Sequence, residues 1–200
     1  MIHYPLMETA RSFVAVKLDE ELRGSMQRVT ERLKSAGPYV RWVKPENLHI
    51  TLKFLGNVET ARMGDVEESL QKCVRDCSSF ELQFKGIDVI PNPRYPRVVY
   101  AGIEEGVEPL KKLTHCVEDG MSALGFVREE RDFLPHLTIG RVKSFKAKSM
   151  LVMKIREFHK KEIGRLLVYS IFLMKSELHR DGAIYTELAE MPLVKGGKNE

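Results

Sequence analysis

Residues 12–18 are dense enough in apolar side chains to read as a strand, and Asp19 then stands where a helix N-cap belongs. An amphipathic run follows to about residue 36, closed by Gly37 and Pro38. Residues 40–43 suit a short strand before the turn Lys44-Pro45-Glu46-Asn47, and residues 49–55 a longer one ending at Gly56-Asn57. From 59 to 77, Met63, Val66, Leu70, Cys73 and Cys77 recur at helical spacing, and residues 80–90 alternate as a strand. The segment Pro91-Asn92-Pro93-Arg94-Tyr95-Pro96 then breaks all regular structure and makes a natural midpoint.

Beyond that break the order repeats. The pattern predicts a strand over 98–103, a helix over about 107–124, a turn at Gly125 and a strand over 136–142. A helix near 147–159, one strand over 166–174, a turn at Asp181-Gly182 and a last strand over 183–188 complete it. Two related halves, about 11–90 and 97–190, each forming a small sheet with helices on one side, would meet at a pseudo-twofold cleft. The expected unit is a single domain over 7–194, with flexible termini at 1–6 and 195–200.

Within this repeat two short stretches say nearly the same thing. Asn47-Leu48-His49-Ile50-Thr51-Leu52 and Leu134-Pro135-His136-Leu137-Thr138-Ile139 both read His-x-Thr-x with aliphatic x. On an extended strand alternate side chains share a face, so His49 lies with Thr51 and His136 with Thr138, while the aliphatic neighbours turn toward a core. From Phe13 to His49 is 36 positions and from Val98 to His136 is 38, so the motif falls at almost the same place in each half. The simplest geometry sets two imidazoles and two hydroxyls across one groove.

Those residue types suit acid-base chemistry on a phosphate. Imidazole titrates near pH 6.5, so at neutral pH one histidine can take a proton while its partner gives one. Opening a cyclic phosphodiester needs both, a base for the attacking water and an acid for the departing ribose oxygen. Threonine hydroxyls can donate to the non-bridging oxygens as their charge rises. Strand parity puts Lys53 on the face of His49, where it is otherwise a solvated edge charge, and leaves Arg141, five residues after His136, off the motif face unless the strand twists or ends.

Composition narrows the alternatives modestly. The 200 residues are 43% hydrophobic, enough for a real core, and the formal charge of +4 is compatible with anionic ligands but far from the basic stripe of a duplex binder. Three cysteines without framework spacing point to a reducing compartment, and neither a membrane span nor a targeting segment is visible, so a cytoplasmic protein is expected.

Taken together, Arg11-Ser12-Phe13-Val14-Ala15-Val16, Trp42-Val43, the run from Asn47 to Gly56 and Pro135-His136-Leu137-Thr138-Ile139-Gly140-Arg141 resemble the two-histidine phosphoesterase superfamily. Within it the chain most resembles the LigT-like RNA 2′,3′-cyclic phosphodiesterases, also described as 2′-5′ RNA ligases. The resemblance implies an α+β, bilobal fold, two pseudo-symmetric antiparallel-rich sheets with helices outside and a cleft between. It implies hydrolysis of RNA 2′,3′-cyclic phosphate ends to 2′-phosphomonoesters without metal or cofactor, and joining of RNA ends in reverse. His49 and His136 are then the catalytic pair, Thr51 and Thr138 substrate ligands, and Arg141 the basic phosphate ligand after the second motif. RNA or nucleotides, tRNA fragments among them, are the implied partners of a monomer without membrane attachment.

Other features read more plainly. His3, His115, His159 and His179 lie outside any pair and suit the surface, and Cys73, Cys77 and Cys116 suit buried thiols better than any zinc motif. Trp42, Tyr95, Tyr100 and Phe133 could stack on a base but suit packing, and the clusters at 111–112, 143–148 and 160–161 suit solvated faces. Two rivals remain: a non-catalytic nucleotide or RNA binding module using the same cleft, and a metal-dependent phosphodiesterase, for which no ligand cluster is visible.

Overall fold

β1 (Thr9–Lys17) is buried on both faces, with Val14 and Val16 in the main core and Phe13 and Ala15 in a second, smaller cluster. A strand apolar on both sides belongs inside a sheet, and β1 lies there, in the order β3-β1-β8-β9. The computed structural model describes residues 8–35, 37, 39–144, 146, 148–180 and 182–196. Ala36, Pro38, Ala147, Asp181 and the termini 1–7 and 197–200, on which several sequence expectations fell, lie outside the described residues.

After β1 come α1 (Glu20–Lys34), β2 (Val40–Trp42), β3 (His49–Glu59), α2 (Met63–Val74) and β4 (Phe80–Ile90). The second half holds β5 (Val98–Glu105), α3 (Val107–Ala123), β6 (His136–Val142), α4 (Lys148–Arg156), β7 (Glu162–Val168), β8 (Ser170–His179) and β9 (Gly182–Pro192). Asp19 caps α1 as its sequence position indicates: its carboxylate accepts from the Leu22 amide at 2.8 Å. Glu20 and Glu21 in the first turn, with Arg32 and Lys34 in the last, complement the helix dipole.

The architecture is α+β, with two wholly antiparallel sheets, the second ordered β2-β6-β5-β4-β7. Helices α2 and α3 pack on the first sheet, through β9 and β3, and α1 and α4 on the second, through β7 and β4. The sheets do not divide along the sequence halves: β4 joins the second, β8 and β9 join the first, and β2 seals the outer edge of the second. The first half lends β4 to the second sheet and the second half lends β8 and β9 to the first, so each sheet is built from both halves. The single strand expected over 166–174 is in fact two, because the chain leaves one sheet at Val168 and enters the other at Ser170. A continuous apolar run carries no mark of such a crossing.

The repeat is clearest in the ladder register. In the first sheet Lys17 opposes His49, Ala15 opposes Thr51, Val14 opposes Lys53 and Phe13 opposes Phe54, so Leu52 is an extra residue. In the second, Gly102 opposes His136, Tyr100 opposes Thr138, Val99 opposes Gly140 and Val98 opposes Arg141, so Ile139 is extra in the same way. Both motif strands therefore carry a bulge directly after the threonine. A second irregularity follows at Gly56, where φ is +73° and Ser12 is its partner; this bulge lets β3 run on to Glu59 instead of stopping at Gly56-Asn57.

An inserted residue reverses the alternation beyond it. Lys53, which parity assigned to the face of His49, is turned inward instead, only 5% exposed. Its ammonium donates to Glu118 Oε1 at 2.5 Å and to the Val127 carbonyl at 2.9 Å, and the same Glu118 oxygen accepts from the Glu129 amide at 2.9 Å. Lys53 is thus neither a phosphate ligand nor a solvated edge charge. It ties the first motif strand to α3 and to the segment that leads into the second.

Removing one partner of a buried ion pair strands the other charge, so Lys53→Met should cost about 3–5 kcal/mol of stability in urea unfolding. Lys53→Met combined with Glu118→Leu should recover much of that loss. Equal destabilisation by the single and double substitutions would contradict the pairing.

Candidate active site

Backbone carbonyls hold the two motif histidines in the same way. His49 Nδ1 donates to the Asn47 carbonyl at 2.8 Å, and His136 Nδ1 donates to the Leu134 carbonyl at 2.8 Å. A carbonyl can only accept, so Nδ1 carries the hydrogen and Nε2 remains for a ligand. In each case the carbonyl lies two residues upstream, where the chain enters the strand, so a local segment fixes tautomer and ring orientation together.

β3, at the edge of the first sheet, packs against β6 of the second, which brings the two motif strands side by side. Thr51 and Thr138, two residues beyond each histidine, are half-buried. The bulge at Ile139 settles the question parity left about Arg141: with one residue inserted, position 141 returns to the face of His136 and Thr138. Arg141 is exposed, and its charge is near enough to help lower the pKa of His49. That coupling reaches from one motif to the other across the groove.

The surroundings of the two rings differ. His49 lies 4.8 Å from the Phe13 ring centroid and 5.1 Å, edge-on, from that of Tyr185. Tyr185 is far from His49 in ladder position, and their contact records the curl of the first sheet, whose concave face is floored by Phe13, Ala15, Phe172 and Met174. Burial among these groups lowers the His49 pKa below its ordinary value, the Asn47 carbonyl partly opposing and Arg141 reinforcing the shift. Among the described residues His136 has one aromatic neighbour, Tyr100, edge-on at 5.7 Å. Burial first, and then Asp88, raises the pKa of the Tyr100 phenol.

A depression of about 250 Å³ opens beside His49, bordered by Lys17, Leu48, Met174, Tyr185 and Glu187 among others. Lys17, directly opposite His49, donates to Glu187 at 2.7 Å and lies 4.6 Å from the Phe172 ring centroid. Strand alternation around Phe13, Ala15 and Lys17 could have placed these residues on the motif face. Tyr185 could not have been found that way, because only the curl brings it to His49. Phe54 occupies in the first motif the position that Arg141 holds in the second, and it is 67% exposed.

Other sequence candidates fall outside the groove. Trp42 and Phe133 pack on the main core, while Tyr95 is exposed, with the Lys148 ammonium 5.8 Å from its ring centroid. His115, His159 and His179 are exposed, and His3 is not among the described residues. The cysteines are free thiols, Cys73 buried and the other two half-buried; Cys73 donates to the Cys116 carbonyl at 3.0 Å, and burial first, then Cys116, pushes its pKa up to about 12. Among the described residues no group of three or more His, Cys, Asp or Glu side chains is placed to hold a metal ion, and no helix is long and apolar enough to cross a membrane.

Two antiparallel sheets with a duplicated His-x-Thr strand at their junction define a two-histidine phosphoesterase. The model of the family described as "LigT like Phosphoesterase" matches residues 16–100 and 102–185, one motif in each stretch, and the chain belongs to that family. It is 41% identical over 178 residues to the RNA 2′,3′-cyclic phosphodiesterase of Methanothermobacter thermautotrophicus, covering 89% of this chain and 96% of the relative. The enzyme of the same name from Archaeoglobus fulgidus is 36% identical, covering 89% of this chain and 97% of the relative. Among solved structures, E. coli LigT complexed with 3′-AMP superposes with a TM-score of 0.75 at 24% identity, over 94% of this chain and 100% of that one, a likeness of fold.

The His49 environment has a measurable consequence. Its imidazole should titrate below pH 6.5 by NMR, and Arg141→Gln should raise the midpoint without restoring the ordinary value, because burial remains. With the folded pKa depressed, the unfolded chain binds the proton first as pH falls. The stability linked to His49 is therefore whole above about pH 6.5 and is lost as pH drops toward the lowered value.

Proposed function

We propose that this chain is an RNA 2′,3′-cyclic phosphodiesterase that opens the cyclic phosphate at an RNA end to a 2′-phosphomonoester, with His49 and His136 as the acid-base pair. The observation that supports the reading is the doubled strand, alike in ladder register, bulge and Nδ1-to-carbonyl bond, its two copies lying on the neighbouring strands β3 and β6. The names of relatives at 41% and 36% identity support it independently.

In the proposed reaction one Nε2 takes a proton from a water molecule whose oxygen attacks phosphorus. The bond from phosphorus to the ribose 3′-oxygen breaks, and the other Nε2 protonates that oxygen as it leaves. A 2′-phosphate and a free 3′-hydroxyl result. Thr51 and Thr138 donate hydroxyl hydrogen bonds to the non-bridging oxygens, and Arg141 offers its planar fork to the same charge. With the 5′-hydroxyl of a second RNA in place of water, the same transfers join two ends through a 2′-5′ linkage. No step calls for a metal or cofactor. The three free thiols fit a reducing, cytoplasmic setting, and we place the enzyme there as a monomer acting on cyclic ends such as those of tRNA fragments.

Purified protein incubated with a 2′,3′-cyclic nucleotide should yield the 2′-phosphate isomer, identified by phosphorus NMR, at a rate unchanged by a strong chelator. His49→Ala and His136→Ala should each lower kcat by about 10²- to 10⁴-fold with the circular dichroism spectrum intact. Binding of the cyclic nucleotide without any turnover by the unmodified protein would favour the non-catalytic module instead.

A further inference from the structure

The short strand β2 places a second arginine where sequence periodicity had no reason to put one. Arg41 stands directly opposite Arg141 in the antiparallel β2–β6 ladder, and residues so paired project from the same face. The bulge has already brought Arg141 to the face of His136 and Thr138, so Arg41 joins them. Its neighbours anchor it. Val40 is 9% exposed and Trp42 packs on the main core, and both press so closely on Gly140 that a Cβ there would lie 2.8 Å from Trp42 Cε3 and 2.8 Å from Val40 Cγ1. Arg41 itself is exposed, and its Nη2 reaches to 3.3 Å from where a Cβ on Gly182 would sit, at the β8–β9 hairpin of the opposite sheet. The guanidinium therefore reaches from the edge of one sheet to the hairpin of the other.

Like charges directly opposite one another in a ladder are unfavourable. Elsewhere on the surface, exposed cations sit beside acids: Lys85 with Glu104, Arg165 with Glu81 and Glu105, Arg128 with Asp119. Among the described residues neither Arg41 nor Arg141 is paired with such a carboxylate. An anion between or beside them relieves that repulsion.

We propose that Arg41 forms a second phosphate subsite, taking the phosphodiester one nucleotide upstream of the cyclic phosphate. The proposal rests on the functional reading above, because it places the reacting phosphate against Arg141 and the histidines. Neighbouring strands lie about 4.8 Å apart, so one step across the ladder offers the next guanidinium to the next phosphate along a single strand. A planar fork suits that anion better than a point charge does. The ligand class is a single-stranded RNA end of two or more nucleotides; a cyclic mononucleotide has nothing for Arg41 to hold.

The test compares a 2′,3′-cyclic mononucleotide with a trinucleotide ending in the same cyclic phosphate, in the unmodified protein and in Arg41→Gln and Arg41→Lys. Arg41→Gln should lower kcat/KM for the trinucleotide about tenfold more than for the mononucleotide. It should also reduce the slope of log KM against log salt for the trinucleotide by about 0.7, the share of one released counter-ion on a single strand. Arg41→Lys should restore the salt slope and only part of the rate. An equal loss on both substrates, or none on either, overturns the subsite. Affinity for the 2′-phosphorylated trinucleotide, measured by fluorescence anisotropy, reads the same contact without turnover. If the unmodified protein hydrolyses neither substrate while that affinity still depends on Arg41, the catalytic reading fails and the subsite stands.

Discussion

One inserted residue in each motif strand governs the geometry of the groove. Without the bulges after Thr51 and Thr138, alternation would put Lys53 in the groove and turn Arg141 away from it. With them, the buried pair of positions falls at Leu52 and Lys53 in one strand and at Ile139 and Gly140 in the other, and the fifth residue after each histidine returns to the open face. The same backbone irregularity serves different ends in the two halves. In the second it delivers a guanidinium; in the first it delivers the exposed ring of Phe54 and sends an ammonium inward.

That inward ammonium makes the first motif part of the support for the second. Lys53 holds Glu118 on α3 and the Val127 carbonyl, while Glu118 also holds the Glu129 amide, so the segment running toward Leu134 and His136 is tied to β3 at two points. A buried pair costs desolvation, and its value here lies in geometry more than in stability. Because β4 and β8 exchange between sheets, the two sequence halves cannot separate without breaking ladders in both sheets.

The site is symmetric in plan and asymmetric in environment. Both imidazoles are fixed through Nδ1 to a carbonyl two residues upstream, but one sits among Phe13, Tyr185 and the apolar floor while the other meets the Tyr100 ring edge-on. A duplicated motif can thus carry two histidines in different surroundings, which suits a reaction needing both a base and an acid. The difference comes from the curl of the first sheet and the residues lining it.

Local chemistry made much of this protein legible beforehand. The Asp19 cap, the periodicity of α2 and α3 and the alternation of β4 depend on neighbours within a few residues, and the motif strands announce themselves twice. The membership of each strand, the division of residues 162–179 between two sheets, the fate of Lys53 and the arrival of Arg41 and Tyr185 at the groove were decided by tertiary structure. A bulge or a change of sheet leaves no periodic trace, because it is set by which strand lies alongside and in what register. The amino-acid order specifies which side chains could do the chemistry; only the pairing of distant strands determines which of them face one another.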